Sequence, residues 1–341
     1  MKYKTGMYGG CFEPLTNGHV ACILTAASMC EELSVIICHS REREKIDPVI
    51  KYRWIHNVTR HIGNVKIFMV EDTYADKETY NWETGRDDII RAVGHDFDAV
   101  FCGVDHKEEG IYERLYPNSE IVYFDFSRKH VSSTAIREDP YGNWDMIPDI
   151  VKPYYIKKVC LMGGESAGKS TLAKNLSILF NTNLVEEEGR YVCEDAGSED
   201  TMIMEDFANI MLKHKWNELQ AVKEANKILF VDTEVLTTKW FFNFLRGNDS
   251  EKDKYDRVAD SIDSLNTYDL ILFLEPDEVP FIQDGTRNEK IEADRKRYSE
   301  QIKRLLDKSG KQYVTLSGSY TDRMMKAISL CNELIERKEK T

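Results

Sequence analysis

Short apolar runs recur along the chain, and stretches of helical periodicity separate them. Runs of this kind bounded by turn residues predict strands at Tyr3–Tyr8, Leu33–Cys38, Lys66–Val70, Ala99–Cys102 and Ile121–Phe124. A second series predicts strands at Lys158–Met162, Ile228–Val231, Leu270–Leu274 and Tyr313–Leu316, with another ending near Leu184–Val185. Alternation of this kind predicts parallel α/β architecture. From Thr321 to Lys340, Met324, Ile328, Cys331 and Ile335 recur at helical spacing, which predicts an amphipathic helix packed on the second sheet.

The two series are divided by a segment that interrupts helix repeatedly. Three of the eight prolines, Pro140, Pro148 and Pro153, fall there with Gly142 close by. The division is therefore set near residue 150, giving domains 1–150 and 151–341. Trp144, Met146, Ile147, Tyr154 and Tyr155 predict a packed linker rather than a loose one.

Composition narrows the picture. The 341 residues suit two domains, and 42% hydrophobic with 31% charged residues is ordinary for a globular chain. The net charge of −13 argues against a general nucleic-acid binder. No apolar run has membrane-spanning length, and no signal region opens the chain, so a cytoplasmic protein is expected. The eight cysteines form no CxxC pair and read as buried small hydrophobes of a reduced compartment.

Two phosphate-handling signatures carry the chemistry. In the second half, Gly163-Gly164-Glu165-Ser166-Ala167-Gly168-Lys169-Ser170-Thr171 fits GxxxxGK[ST] between a strand and a helical pattern. Its backbone N–H groups can wrap phosphate, Lys169 can reach the β- and γ-phosphates of ATP, and Ser170 can ligate Mg²⁺. Asp232 ends an apolar strand, where an acid acts on Mg²⁺ or on an acceptor hydroxyl. Glu186-Glu187-Glu188-Gly189-Arg190 reads either as acids facing an acceptor pocket, with Arg190 binding a phosphate, or as a solvated charge run. Asp277–Arg287 reads equally as a surface loop or as a lid carrying Arg287 over the phosphate. Trp240 is a further candidate for the acceptor ring.

In the first half, GGCFEPLTNGH follows the opening strand and precedes a helical pattern. Thr16-Asn17-Gly18-His19 matches the [HT]xGH pattern of the α/β nucleotidyltransferases. There an acceptor phosphate attacks the α-phosphate of ATP in line, so positioning and charge stabilisation replace a protein nucleophile. His19 and Thr16 can donate to phosphate oxygens, and Gly9, Gly10 and Gly18 permit close backbone approach, with Phe12 in the same loop. Val131-Ser132-Ser133-Thr134-Ala135-Ile136-Arg137 resembles the ISSTxIR signature of nicotinamide-nucleotide adenylyltransferases and would open a helix toward ATP. Gly103 and Asp105 follow a strand and would line the adenosine site. Trp82 is the first candidate to stack on an acceptor ring. Trp54 is the second, although its helical setting favours core, and Arg53 with Lys51 would contact phosphate or face solvent.

The chain, in this domain order, resembles the bifunctional nicotinamide-mononucleotide adenylyltransferase/ribosylnicotinamide kinase family, NadR. The matching stretches are FEPLTNGH, VSSTAIR, NWDMIPDIVKPYY, LMGGESAGKST, EEGR, FVDTEVLTT and DGTR. The resemblance implies a Rossmann-like nucleotidyltransferase domain followed by a P-loop kinase domain with a parallel sheet. It implies that the kinase makes the mononucleotide and the transferase joins it to AMP from ATP, giving NAD. Lys169 and Ser170 would hold ATP and Mg²⁺, Asp232 and Glu187 would bind acceptor ribose or act as base, and Arg287 would be the lid arginine. Some members carry an N-terminal DNA-binding module, and the expectation here is an enzyme without repressor function. Partners are then small molecules, neither nucleic acid nor membrane, with homo-oligomer formation left open. Two other readings stand beside this one: a fused phosphopantetheine adenylyltransferase/dephospho-coenzyme A kinase, and a nucleotide-sensing regulator that binds without catalysing.

Overall fold

In the computed structural model, which describes residues 1–40, 42, 44–72, 80–104, 107–108, 110–125, 132–281 and 292–336, the chain divides into Met1–Tyr154 and Tyr155–Arg337.

The first unit holds five strands: β1 (Tyr3–Gly10), β2 (Cys30–His39), β3 (Val65–Glu71), β4 (Ala99–Gly103) and β5 (Glu120–Phe124). They are all parallel, in the order β3-β2-β1-β4-β5. The order reverses at β1, which lies between β2 and β4. Ligands of such sheets bind beyond the carboxyl ends of the strands at that switch. The helices are α1 (Asn17–Met29), α2 (Pro48–Thr59), α3 (Trp82–Val93), α4 (Ile111–Leu115) and α5 (Ser133–Glu138). Their starts are chemically marked. Thr16, Asp47, Asn81 and Ser132 each accept a backbone N–H from their own helix, and Pro48 stands just inside α2. Gly94 ends α3 with φ 91°, a left-handed position that only glycine adopts cheaply. The central strands are buried on both faces, with Val35, Ile36, Ile37 and Val100 at no exposure.

The second unit repeats the principle with β6 (Lys157–Gly163), β7 (Leu184–Val185), β8 (Ile228–Asp232), β9 (Leu270–Leu274) and β10 (Val314–Leu316). These are parallel in the order β10-β9-β6-β8-β7. Its helices are α6 (Lys169–Leu179), α7 (Glu188–Ala196), α8 (Met204–Ala221), α9 (Val235–Arg246), α10 (Lys252–Leu265), α11 (Arg295–Ser309) and α12 (Tyr320–Glu336). Alternate residues of one strand feed opposite cores. Val159 and Leu161 pack with Leu172 and Leu176 of α6 and Cys331 of α12. Cys160 and Met162 pack with Trp240 of α9 and Ile302 and Leu306 of α11.

The predicted strands are all present, with ends shifted by up to three residues, and the predicted C-terminal helix is present over Tyr320–Glu336, its last four predicted positions lying outside the described residues. Pattern analysis sees the apolar centre of a strand and not the last ladder bond. The linker is packed as expected around Trp144 and Ile147, which are buried, although Tyr154 is exposed. Six of the eight cysteines are buried.

Candidate active sites

In the first unit the two signature segments meet. The backbone of Phe12 turns with φ 49°, and the chain then reaches α1 through Thr16. Thr16 is buried and caps α1. Its hydroxyl accepts from the His19 amide at 3.3 Å, and its own amide donates to His19 Nδ1 at 3.1 Å. That reciprocal box fixes the imidazole against the loop. The Thr16 hydroxyl thus helps to hold His19 in the loop. Phe12 is buried, edge-on to His19 with ring centres 5.2 Å apart, and supports the imidazole from behind.

The VSSTAIR segment closes on this loop across more than a hundred residues. Ser133 donates to the carbonyl of Pro14 at 2.9 Å, and Arg137 Nη1 donates to the carbonyl of Glu13. Arg137 Nη2 also donates to Thr134 Oγ1 at 3.0 Å, while Ser132 caps α5 through the Ala135 amide at 3.1 Å. Gly9 and Gly10 end β1, Gly103 ends β4, and Gly18 lies in the first turn of α1, so all flank the switch of strand order. Asp105 and Val131 lie outside the described residues.

A buried ionic knot underpins the same loop. Lys51 has no exposure, and its ammonium lies 2.5 Å from Glu13 Oε2 and against Glu44 Oε2. The other Glu13 oxygen accepts the Lys45 and Ile46 amides, each at 2.9 Å. Lys51 therefore neither faces solvent nor reaches for phosphate, against both readings of it. The aromatic candidates also part company. Trp82 opens α3 half-buried, edge-on to Tyr80 at 5.0 Å and Tyr112 at 6.3 Å. Trp54 is buried against Tyr154, so it serves core packing, and Arg53 beside it is exposed.

In the second unit β6 runs into the phosphate loop. Gly163 has φ 148°, and a Cβ there would meet the Leu274 carbonyl oxygen at 2.4 Å. Gly168 has φ 88° at the start of α6, so both positions exclude side chains. A Cβ on Gly164 would crowd Ser299 at 2.9 Å. Lys169 is buried and donates to the Gly164 carbonyl at 3.1 Å. Asp232 ends β8, next to β6, and its carboxylate accepts from the Thr233 hydroxyl at 3.4 Å, with Ser170 and Lys169 close enough to favour its charged form. Burial and the nearby Glu187 charge raise Asp232 to about 6, against the pull of Lys169. A buried carboxylate with the Ser170 hydroxyl nearby, at the mouth of a phosphate loop, is the donor set that a hard divalent cation takes.

One pocket joins this loop to the charged cluster. Glu165 to Thr171, Glu187, Glu188 and Arg190 all line it. Glu188 is held in place there by Lys213 at 2.8 Å and by Asn217. Trp240 is not brought to this pocket. It is buried on the far side of α9, stacked on Phe244 at 5.1 Å and donating to Gln301 at 2.9 Å, while Phe241 next to it lines the cavity. Arg287 lies outside the described residues. Sequence reasoning missed His214, Glu234 and Asn266, which also line the pocket. Burial lowers the His214 pKa, which favours the neutral ring, and its Nε2 lies 3.2 Å from the Asp232 carbonyl oxygen. Glu234, just past β8, is raised to about 7 by burial. A helical His and an isolated Asn carry no local signature that would have marked them.

Residues 7–139 match the cytidylyltransferase-like family, and residues 158–323 match the AAA domain family. The trifunctional NAD biosynthesis/regulator protein NadR of Escherichia coli (strain K12) is 27% identical over 98% of this chain and 84% of its own length. Two solved structures of NadR protein align over 99% of this chain and 98% of theirs. The one in complex with NR has TM-score 0.78 at 22% identity, and the one in complex with NAD and AMP-PNP has 0.77 at 20%. These two establish a shared fold along both units.

Proposed function

We propose that this chain, a member of the NadR family, makes NAD from ribosylnicotinamide in two ATP-consuming steps. The second unit phosphorylates the 5′-hydroxyl of ribosylnicotinamide, and the first transfers AMP from ATP to the resulting mononucleotide, releasing pyrophosphate. The observation that carries this reading is the closure of distant motifs within each unit: Arg137 on the Glu13 carbonyl in the first, and the phosphate loop with Glu187 around one pocket in the second.

In the kinase step the acceptor 5′-oxygen attacks the γ-phosphorus, the bond to the bridging oxygen breaks, and ADP leaves. The loop amides from Gly164 to Lys169 and the Lys169 ammonium hold the phosphates. Ser170 and Asp232 would hold Mg²⁺, which supplies charge neutralisation to the β- and γ-phosphates. With Asp232 so used, Glu187, at the cap position of α7 and lining the same pocket, takes the proton of the 5′-hydroxyl. Arg190 is assigned to phosphate and Glu188 to holding α7 on α8.

In the transferase step an oxygen of the mononucleotide phosphate attacks the α-phosphorus of ATP in line. His19, held by Thr16, donates to the phosphate whose charge grows, and α5 brings Arg137 to the same loop. No protein nucleophile or covalent intermediate is needed. Trp82 is assigned to the acceptor ring. With the described helices offering no membrane-crossing segment, both steps are assigned to the cytoplasm.

The test is product analysis by mass. The chain with Mg·ATP and ribosylnicotinamide yields the mononucleotide and then NAD. Absence of both, with turnover of phosphopantetheine instead, would overturn the reading.

A further inference from the structure

The pocket behind the phosphate loop carries an imbalance that phosphate binding does not use. Five carboxylates line it: Glu165, Glu187, Glu188, Glu199 and Glu234. Three cations oppose them: Lys169, Arg190 and Lys215. Lys169 sits at the phosphate loop, and Lys215 is committed to Glu218 at 3.1 Å and to Asn266 at 2.9 Å.

Glu234 is the member with capacity to spare. It is only 1% exposed. One of its oxygens accepts from Asn266 Nδ2 at 3.2 Å, and the other, Oε1, is buried without a hydrogen-bond partner. One turn along α9, the Thr237 hydroxyl is buried in the same condition. Both residues line the pocket, beside the apolar surface of Phe241 and Ile262. An unpaired buried carboxylate oxygen is costly, and the cost falls when a ligand brings it positive charge or a donor.

We propose that Glu234, with Thr237, forms the specificity element of the acceptor pocket and selects a nucleoside whose ring carries a permanent positive charge over a neutral ring of the same shape. The inference rests on reading this pocket as the ribosyl acceptor site. A ring cation against Phe241 places its charge in a water-poor space near Glu234, where the attraction exceeds its value in bulk water. Its exocyclic amide can donate to Glu234 Oε1 and accept from Thr237. A neutral ring of equal size fills the space and leaves the carboxylate uncompensated, and such differences in buried polar pairing separate substrates more strongly than differences in shape.

The experiment compares two acceptors on the full chain with saturating Mg·ATP, following ADP release. One is ribosylnicotinamide. The other is its carbon-linked ribosyl-benzamide isostere, equal in shape and uncharged. The wild-type chain is expected to favour the cation by about tenfold or more in kcat/KM, mostly through KM. Glu234→Gln is expected to bring that ratio within about threefold of unity. Equal kcat/KM for the two acceptors in the wild-type chain overturns the inference while leaving the acceptor assignment intact, and this comparison needs no variant. An unchanged ratio in Glu234→Gln also overturns it. If neither ribosyl compound is phosphorylated, the acceptor assignment itself has failed.

Discussion

Arg323 Nη1 donates to the backbone carbonyl of Ala167, inside the phosphate loop, at 3.0 Å. The guanidinium is 2% exposed, and it also donates to the carbonyls of Gly318 at 2.8 Å and Asp277 at 2.5 Å. The first turn of α12 therefore fixes the loop to two other segments of the unit. Replacement by methionine keeps the apolar bulk and leaves three carbonyls without their donor. Arg323→Met is expected to raise the KM for ATP in the kinase step by about tenfold, and to destabilise the unit by about 1–3 kcal/mol. Kinase assays across ATP concentrations, beside adenylyl transfer from supplied mononucleotide, check this. An equal fall in both activities would contradict it.

Lys51 plays the matching part in the first unit. Removing its charge leaves Glu13 and Glu44 buried and mutually repelling. Lys51→Met is expected to lower stability by about 3–5 kcal/mol, the usual cost of breaking a buried ion pair from one side. Chemical unfolding followed by tryptophan fluorescence measures it. A shift below about 1 kcal/mol would show that the pair contributes as little as an exposed one.

The two chemistries should separate by mutation. Lys169→Ala is expected to lower ribosylnicotinamide phosphorylation by about a hundredfold or more, with adenylyl transfer from supplied mononucleotide retained. His19→Ala is expected to do the reverse. Loss of both activities in either variant would refute the assignment of one step to each unit.

Glu218 on α8 supplies a pH dependence. It is 2% exposed and paired with Lys158 at 2.9 Å and Lys215 at 3.1 Å. Burial alone would raise its pKa, but the two ammonium groups outweigh it and the pKa is lowered. A carboxyl lowered in the folded state adds stability above its unfolded value of about 4.3 and loses it as pH falls through the folded value. Glu218→Gln is expected to destabilise the second unit at pH 7 and to narrow the gap from the wild-type chain below pH 4. Melting temperatures measured across pH 3–7 decide it, and a constant gap would contradict the pairing.

Much of this was legible in one dimension because the signals are local. An apolar run between turns announces a strand, and a GxxxxGKS loop needs glycine where φ is positive, as Gly163 and Gly168 have it. The failures were equally specific. Trp240 and Phe241 are neighbours of similar character, and only the rotation of α9 decides which faces the pocket. Trp54 was open to two readings because a large aromatic on a helix gives the same pattern whether it packs or binds.

The sequence by itself therefore determined the element order, the two phosphate loops and the chemical class of each step, since these depend on residue types within a few positions of one another. Tertiary structure alone decided that Arg137 closes on Glu13, that Lys51 is buried between two carboxylates and that Glu234 lines the pocket beside the phosphate loop. Each of those contacts joins segments that only folding of the sheets brings within a few ångströms. No local pattern encodes which charge will find a partner and which will be left for a ligand.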